Sequence, residues 1–396
     1  MRINTLYLLI LFLVTGSLSV TAQGTLYQDV LQQISANNLQ LRQLAQEKKA
    51  TQTLSKTQLY LENPEMEFAY MWGAPSTEGK RTNFSISQNF DFPSLYAYKG
   101  QVAKAKQMQA VWKYKWASQD VLWKAQLSCI KLTYLRAVED VLAQKRQEAD
   151  KLVLQYKKAY ELGEVNRITR NKVVLYKQKV DQDYAHITGQ IKAAELALQG
   201  LNGGVAISCN DKEFTPIPLP VSFVSWLALE KNQIPVLRYL EEELAVTKAQ
   251  VKVSKARALP TFKVGYAQEL VDGDGFKGVT VGMSIPLFEH RYQTKAAREK
   301  VKAMQLAYQA NKMTFLYQIQ GLFEEASSMQ EALASYRETL SGYDHLGLLR
   351  KGLELKELSL LEYIQESDYI YDAQLDYLQA EKEYMEALSE LYRIKL

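Results

Sequence analysis

The chain has little of what most catalytic or metal-binding proteins rely on. It holds 2 cysteines and 3 histidines in 396 residues. Cys129 and Cys209 lie far apart, and His186, His290 and His345 are scattered. No HExxH or paired CxxC spacing occurs, which excludes the common zinc centres. There is no Ser-His-Asp context and no glycine-rich phosphate loop, so no enzyme class is indicated and no cofactor is expected. Beyond the first residues there is no apolar run near the roughly 20 residues of a spanning helix. The 48 basic and 44 acidic residues leave a net charge of +4. Interleaved along helical stretches, they mark solvated faces and not a nucleic-acid surface.

Proline is also scarce, with 9 in all, and its placement is informative. None falls between Ser94 and about Tyr160, or between Glu289 and about Leu349, so each stretch reads as one helix of roughly 90–100 Å. Returning helices are expected over about Asn166–Leu201 and Leu360–Ile394. Shorter ones are expected over about Leu26–Leu61 and Ser222–Leu259. In the first long helix Leu127, Ile130, Tyr134, Ala137 and Val141 form one stripe, and Leu132, Leu135 and Leu142 an adjoining one. Two stripes mean two packing partners, as in a helical barrel wall or a plain bundle.

Pro64, Pro93, Pro260 and Pro286 frame a duplicated pattern. From Asn63 run NPEMEFAYMW, the loop GAPSTEGKR and TNFSISQNFDFP. From Leu259 run LPTFKVGYAQ, ELVDGDGFK and GVTVGMSIPLF. Each copy holds two period-two strands, about 65–72 and 82–92, then 261–270 and 278–287. One face carries Met66, Phe68, Tyr70, Phe84, Ile86, Phe262, Val264, Val279, Val281 and Met283, softened only by Gln88 and Gln268. The other carries Glu65, Glu67, Asp91, Lys263, Glu269 and small polar residues. An apolar outside with a polar inside is the pattern of a transmembrane β-barrel, and makes the first face the lipid-facing one. Four strands are too few to close a barrel, and an open edge in lipid leaves backbone groups unpaired, so several chains must pool strands. A trimer with about twelve strands is the smallest ring that leaves a water-filled lumen.

The opening residues MRINTLYLLILFLVTGSLSVTA read as a secretory signal peptide cleaved after Ala22. The expected organisation is a leader over 1–22, a first repeat over 23–201, a Gly- and Pro-rich linker or belt over 202–221, and a second repeat over 222–396. For Cys129 and Cys209, an exported chain allows either a disulfide or two free structural thiols.

Taken together, NP at Asn63 and Pro64, LP at Leu259 and Pro260, GMSIPLF before a long helix, and the ending ELSLLEYIQESDYIYDAQLDYLQAEKEYMEALSEL resemble the TolC-like outer-membrane efflux channels. The resemblance implies a mainly α fold with a small transmembrane β part: a homotrimer with a twelve-stranded barrel in outer-membrane lipid and a long α-helical barrel in the periplasm. It implies a passive channel of a tripartite efflux system, fed by a periplasmic adaptor (membrane fusion protein) and an inner-membrane pump, the RND class among the candidates. Strand spacing and the last helix resemble the heavy-metal cation branch. The alternative is a periplasmic helical adaptor or structural protein of an export complex.

The same resemblance makes Glu362 a periplasmic gate candidate, with Gln365 where a second acid is common. Asp368, Asp372 and Asp376, at i, i+4 and i+8, are candidate lumen acids. The tips at Leu162, Gly163, Leu355 and Lys356 are candidate adaptor-docking points; Gly163 fits the family's turn glycine, and Lys356 departs from it.

Overall fold

The computed structural model describes residues 26–57, 59–73, 79–230, 234–286, 288, 292–342 and 345–396. The expected leader and residues 74–78 of the GAPSTEGKR loop lie outside the described residues. The order is α1 (Gln28–Asn37), α2 (Leu39–Thr57), β1 (Glu65–Trp72), β2 (Lys80–Phe90), α3 (Pro93–Glu161), α4 (Arg167–Leu201), α5 (Phe223–Glu230), α6 (Pro235–Ala256), β3 (Thr261–Val271), β4 (Asp274–Ser284), α7 (Gln293–Ser341), α8 (His345–Glu354) and α9 (Leu360–Leu391), closed by a 3-10 turn at Tyr392–Lys395.

α3 runs for 69 residues, roughly 100 Å. Pro93 sits in its first turn, where a missing amide donor costs nothing. Its two stripes meet different helices, as the spacing predicts. Leu132 and Leu135 pack with Ile191, Ala194 and Leu198 of α4, while Leu127 and Ile130 pack with Met385 and Leu388 of α9. Ala387 of α9 lies in that second cluster, and Ala373 accepts at its carbonyl from Tyr336 of α7, 3.0 Å away.

Three expected helices are interrupted. The first breaks at Asn38, whose extended backbone lets its side chain accept from Leu41 N and donate to the Leu201 carbonyl. The helix expected over Ser222–Leu259 is α5 and α6, because Pro235 can only begin a helix. The second long helix ends at Ser341 and resumes as α8 at His345.

The strands form one antiparallel sheet in the order β1-β2-β3-β4. β2 pairs with β3, so the two repeats meet inside the sheet, and β1 and β4 are its edges. β2 begins two residues before its expected start, at Lys80. β4 begins at Asp274, not near 278: Asp272 (φ 50°) and Gly273 (φ 98°) make a two-residue turn, and DGFK belongs to the strand.

The segment 202–221 wraps the helices as an irregular band. Asn202 is fully enclosed, accepts from Asn37 Nδ2 at 3.2 Å and donates to the Val205 carbonyl at 3.0 Å. Lys212 pairs with Asp140 of α3 at 2.8 Å, and Tyr392 donates to the Pro218 carbonyl at 2.7 Å.

Candidate functional site

Register decides which side chains share a face of the sheet. Met66, Ile86, Tyr266 and Val279 form one row across the four strands. Gln88, Val264 and Val281 form another, and Phe90, Phe262 and Met283 a third. Phe68 and Phe84 extend the same face, as does Tyr70 opposite Thr82. Val279 and Val281 are each 76% exposed and Phe68 66% in the single chain. So broad an apolar surface is stable only against lipid or another protein.

The opposite face alternates with it. Glu65, Ser87, Gly265 and Thr280 share a row, and Glu67, Ser85, Ala267 and Gly278 the next. Lys263 reaches over β2 to Glu65 at 2.9 Å, and Arg81 reaches Glu269 at 2.5 Å. Lys277 is the exception: the early start of β4 sets it opposite Gln268, in the apolar rows. It stands near the start of β4, three residues past Asp274.

At the far end the two helical hairpins turn by the same device. Gly163 (φ 75°) and Lys356 (φ 59°) both take the left-handed conformation after a helix C-terminus. Gly163 N donates to Tyr160 O and Glu164 N to Ala159 O; Lys356 N donates to Leu353 O and Glu357 N to Gly352 O. Three residues beyond each comes the next N-cap: Asn166 accepts from Thr169 N, and Ser359 from Glu362 N. Leu162 and Leu355, 74% and 70% exposed, precede the turning residues as matched apolar knobs. The departure at Lys356 is therefore one of residue type and not of backbone.

Glu362 stands exposed in the first turn of α9 and completes a capping box, its carboxylate accepting from Ser359 N at 2.8 Å. That backbone donor, with the Ser359 side chain, holds its carboxyl below the usual range. Of the three aspartates, Asp372 and Asp376 lie at the surface, while Asp368 turns into the contact between α3, α4 and α9. It binds Lys145 Nζ at 2.7 Å and accepts from Tyr176 Oη at 3.2 Å. Positions eight apart on a helix differ by about 80° in direction, enough to part Asp368 from Asp376.

Sequence reasoning overlooked Lys145. It lies at 5% exposure among the apolar positions Leu142, Ala149 and Leu152, with its ammonium 5.5 Å from the Tyr371 ring. A lysine on an apolar stripe at 3,4,3 spacing was the available signal. Tyr371 itself is pushed up to about 12, chiefly by burial. Among the described residues no group of His, Cys, Asp and Glu is arranged to hold a metal, and no helix is long and apolar enough to cross a membrane.

Residues 226–395 match the family model described as outer membrane efflux protein. Over that span the chain is similar to outer membrane efflux proteins. The matched span lies in the second repeat, and the fold shared with solved structures extends through the first. The outer-membrane channel OprN superposes with a TM-score of 0.77 at 14% identity, over 92% of this chain and 88% of that one. The CmeC outer membrane channel of Campylobacter jejuni gives 0.75 at 14%, over 92% and 84%. CusC gives 0.75 at 16%, over 93% and 91%. No curated protein matches the sequence. At these identities the solved structures establish the TolC-like fold, and the family model adds a sequence match over the second part of the chain.

Proposed function

We propose that three copies pool their sheets into a barrel of about twelve strands in the outer membrane, and that their helices form one tunnel into the periplasm. The carrying observation is the four-stranded sheet, sorted into an apolar and a polar face, with β1 and β4 left as edges. Pairing β4 of one copy with β1 of the next satisfies both edges and continues the apolar face around the ring.

In this reading the protein is the passive duct of a tripartite efflux system. A periplasmic adaptor docks at the two tips through Leu162 and Leu355, and an inner-membrane pump, of the RND class for the heavy-metal branch, supplies the energy. Heavy-metal cations are the cargo that the branch resemblance favours. An ionised Glu362 at the tip, repeated in three subunits, supports it, because a ring of carboxylates draws cations and repels anions.

The test is native mass spectrometry of the detergent-purified protein, followed by conductance in planar bilayers. A trimer that opens cation-selective pores, with selectivity reduced in Glu362→Gln, is the expected result. A water-soluble monomer without conductance defeats the channel reading. A conducting trimer whose selectivity ignores Glu362→Gln removes that residue from the gate while leaving the channel intact.

A further inference from the structure

We propose that Cys129 and Cys209 are joined by a disulfide that fastens the band 202–221 to α3 at the base of the α3–α4 hairpin. The proposal rests on the outer-membrane assignment, which puts the helical body in an oxidising compartment. The two residues are the only cysteines in the chain. They come from different elements, one from mid-α3 and one from the irregular band, yet they meet in a single cluster with Ile34, Leu132, Leu135, Ile191 and Leu198. Cys129 is 0% and Cys209 3% exposed.

Within that cluster both are buried free thiols, each near enough to perturb the other. Two neighbouring thiols in an apolar pocket can close a disulfide where side-chain rotation brings their sulfurs to bonding distance. The band also has a need for such a tie. It lacks helix or strand, so it is held by apolar side chains and by a few polar contacts, chiefly those of Asn202, Lys212 and Pro218.

The step balances by thiol–disulfide exchange with a disulfide-bearing oxidant of the compartment. One cysteine thiolate attacks a sulfur of the oxidant's disulfide and displaces a thiol, leaving a mixed disulfide. The second thiolate then attacks the cysteine sulfur of that mixed disulfide and releases the oxidant's other thiol. The pair loses two protons and two electrons, and the oxidant gains them. Because the folded cluster excludes solvent, exchange takes place before the band docks. The bond closes a ring that contains the distal half of α3, the first tip and all of α4. Movement at that tip must then be bending beyond residue 129, and not separation of the two helices at their base.

The test uses the full chain produced with its leader. Outer membranes are isolated and denatured without reductant, free thiols are blocked with N-ethylmaleimide, and the digest is read by mass spectrometry. The expected result is one cross-linked peptide pair holding Cys129 and Cys209, with neither labelled until reductant is added. In Cys129→Ala, Cys209 should become labelled and the cross-link should disappear. Outer-membrane protein labelled at both positions overturns the disulfide and leaves the location standing. Absence of the chain from that fraction overturns the location. In that event the disulfide is decided on detergent-purified protein refolded with oxidised glutathione: formation of the pair supports it, and persistent labelling of both cysteines overturns it.

Discussion

Lys145 and Asp368 form an ion pair of 2.7 Å in which the lysine side chain is 6% exposed and the aspartate side chain 27%. It joins α3 to α9, and Tyr176 of α4 donates to the same carboxylate, so three helices meet at one charge. Taking away the aspartate leaves an enclosed ammonium without its counter-charge. Asp368→Asn is therefore expected to destabilise the helical body by about 3 kcal/mol. Lys145→Met keeps the stem's packing and leaves a carboxylate with some access to water, so it should cost clearly less. Denaturant titration of helical circular dichroism in detergent compares the two, and equal costs would mean that Lys145 is not held in place by Asp368.

The parity of the sheet separates neighbouring residues sharply. Val281 lies in the row of Gln88 and Val264, while Thr280 lies beside Gly265 on the opposite face. Val281→Arg is expected to cost about 2–4 kcal/mol if it faces mid-bilayer lipid, and to reduce the amount of folded protein recovered from outer membranes. Thr280→Arg should be recovered nearly as well as the parent. Similar recovery of both would reverse the assignment of the faces.

Lys356 holds a left-handed backbone that glycine adopts freely, as its counterpart Gly163 does in the first repeat. Lys356→Gly should stabilise the protein by about 1 kcal/mol, seen as a higher midpoint of thermal unfolding. Gly163→Lys should lower it by a similar amount. A fall in the midpoint for Lys356→Gly would show that the lysine side chain contributes more than its backbone costs.

Glu381 lies half-buried on α9, and burial raises its carboxyl pKa against the opposing effects of Arg337 and Tyr377. A raised folded-state value means that the group favours folding only while protonated. That contribution is complete below the ordinary glutamate value of about 4.3 and is lost as pH rises through the raised one. Glu381→Gln is expected to be more stable than the parent at neutral pH, with the difference closing below about pH 4. Stability curves of the two proteins across pH 4–8 check this, and parallel curves would contradict it.

The faces of the sheet and the duplication were legible in the sequence because period-two alternation depends only on neighbouring residues. So were the two stripes of α3, which its uninterrupted length keeps in phase. The break at Asn38 was not, since it comes from an asparagine that caps α2 and donates to Leu201, a partner known only after folding. The early start of β4 was missed because Asp272 and Gly273 were read as part of a longer loop, although that dipeptide is itself the signature of a two-residue turn. Among the candidate acids, spacing alone placed Asp368 with Asp372 and Asp376. Its pairing with Lys145 depends on a residue more than half the chain away. The matched tips were visible at Gly163 and hidden at Lys356, where the second repeat keeps the backbone without the residue that favours it.

In the proposed ring of three, the two edges of the sheet make each chain hostage to its neighbours. A subunit whose β1 is spoiled can still offer a sound β4, so it enters a growing ring and then prevents its closure. In such a ring, damage at an edge would be dominant. In a cell making intact and edge-defective chains equally, random assembly in threes leaves only about one ring in eight wholly sound. The defect would poison the product of an undamaged gene copy, whereas a chain that fails to fold at all would merely reduce the supply.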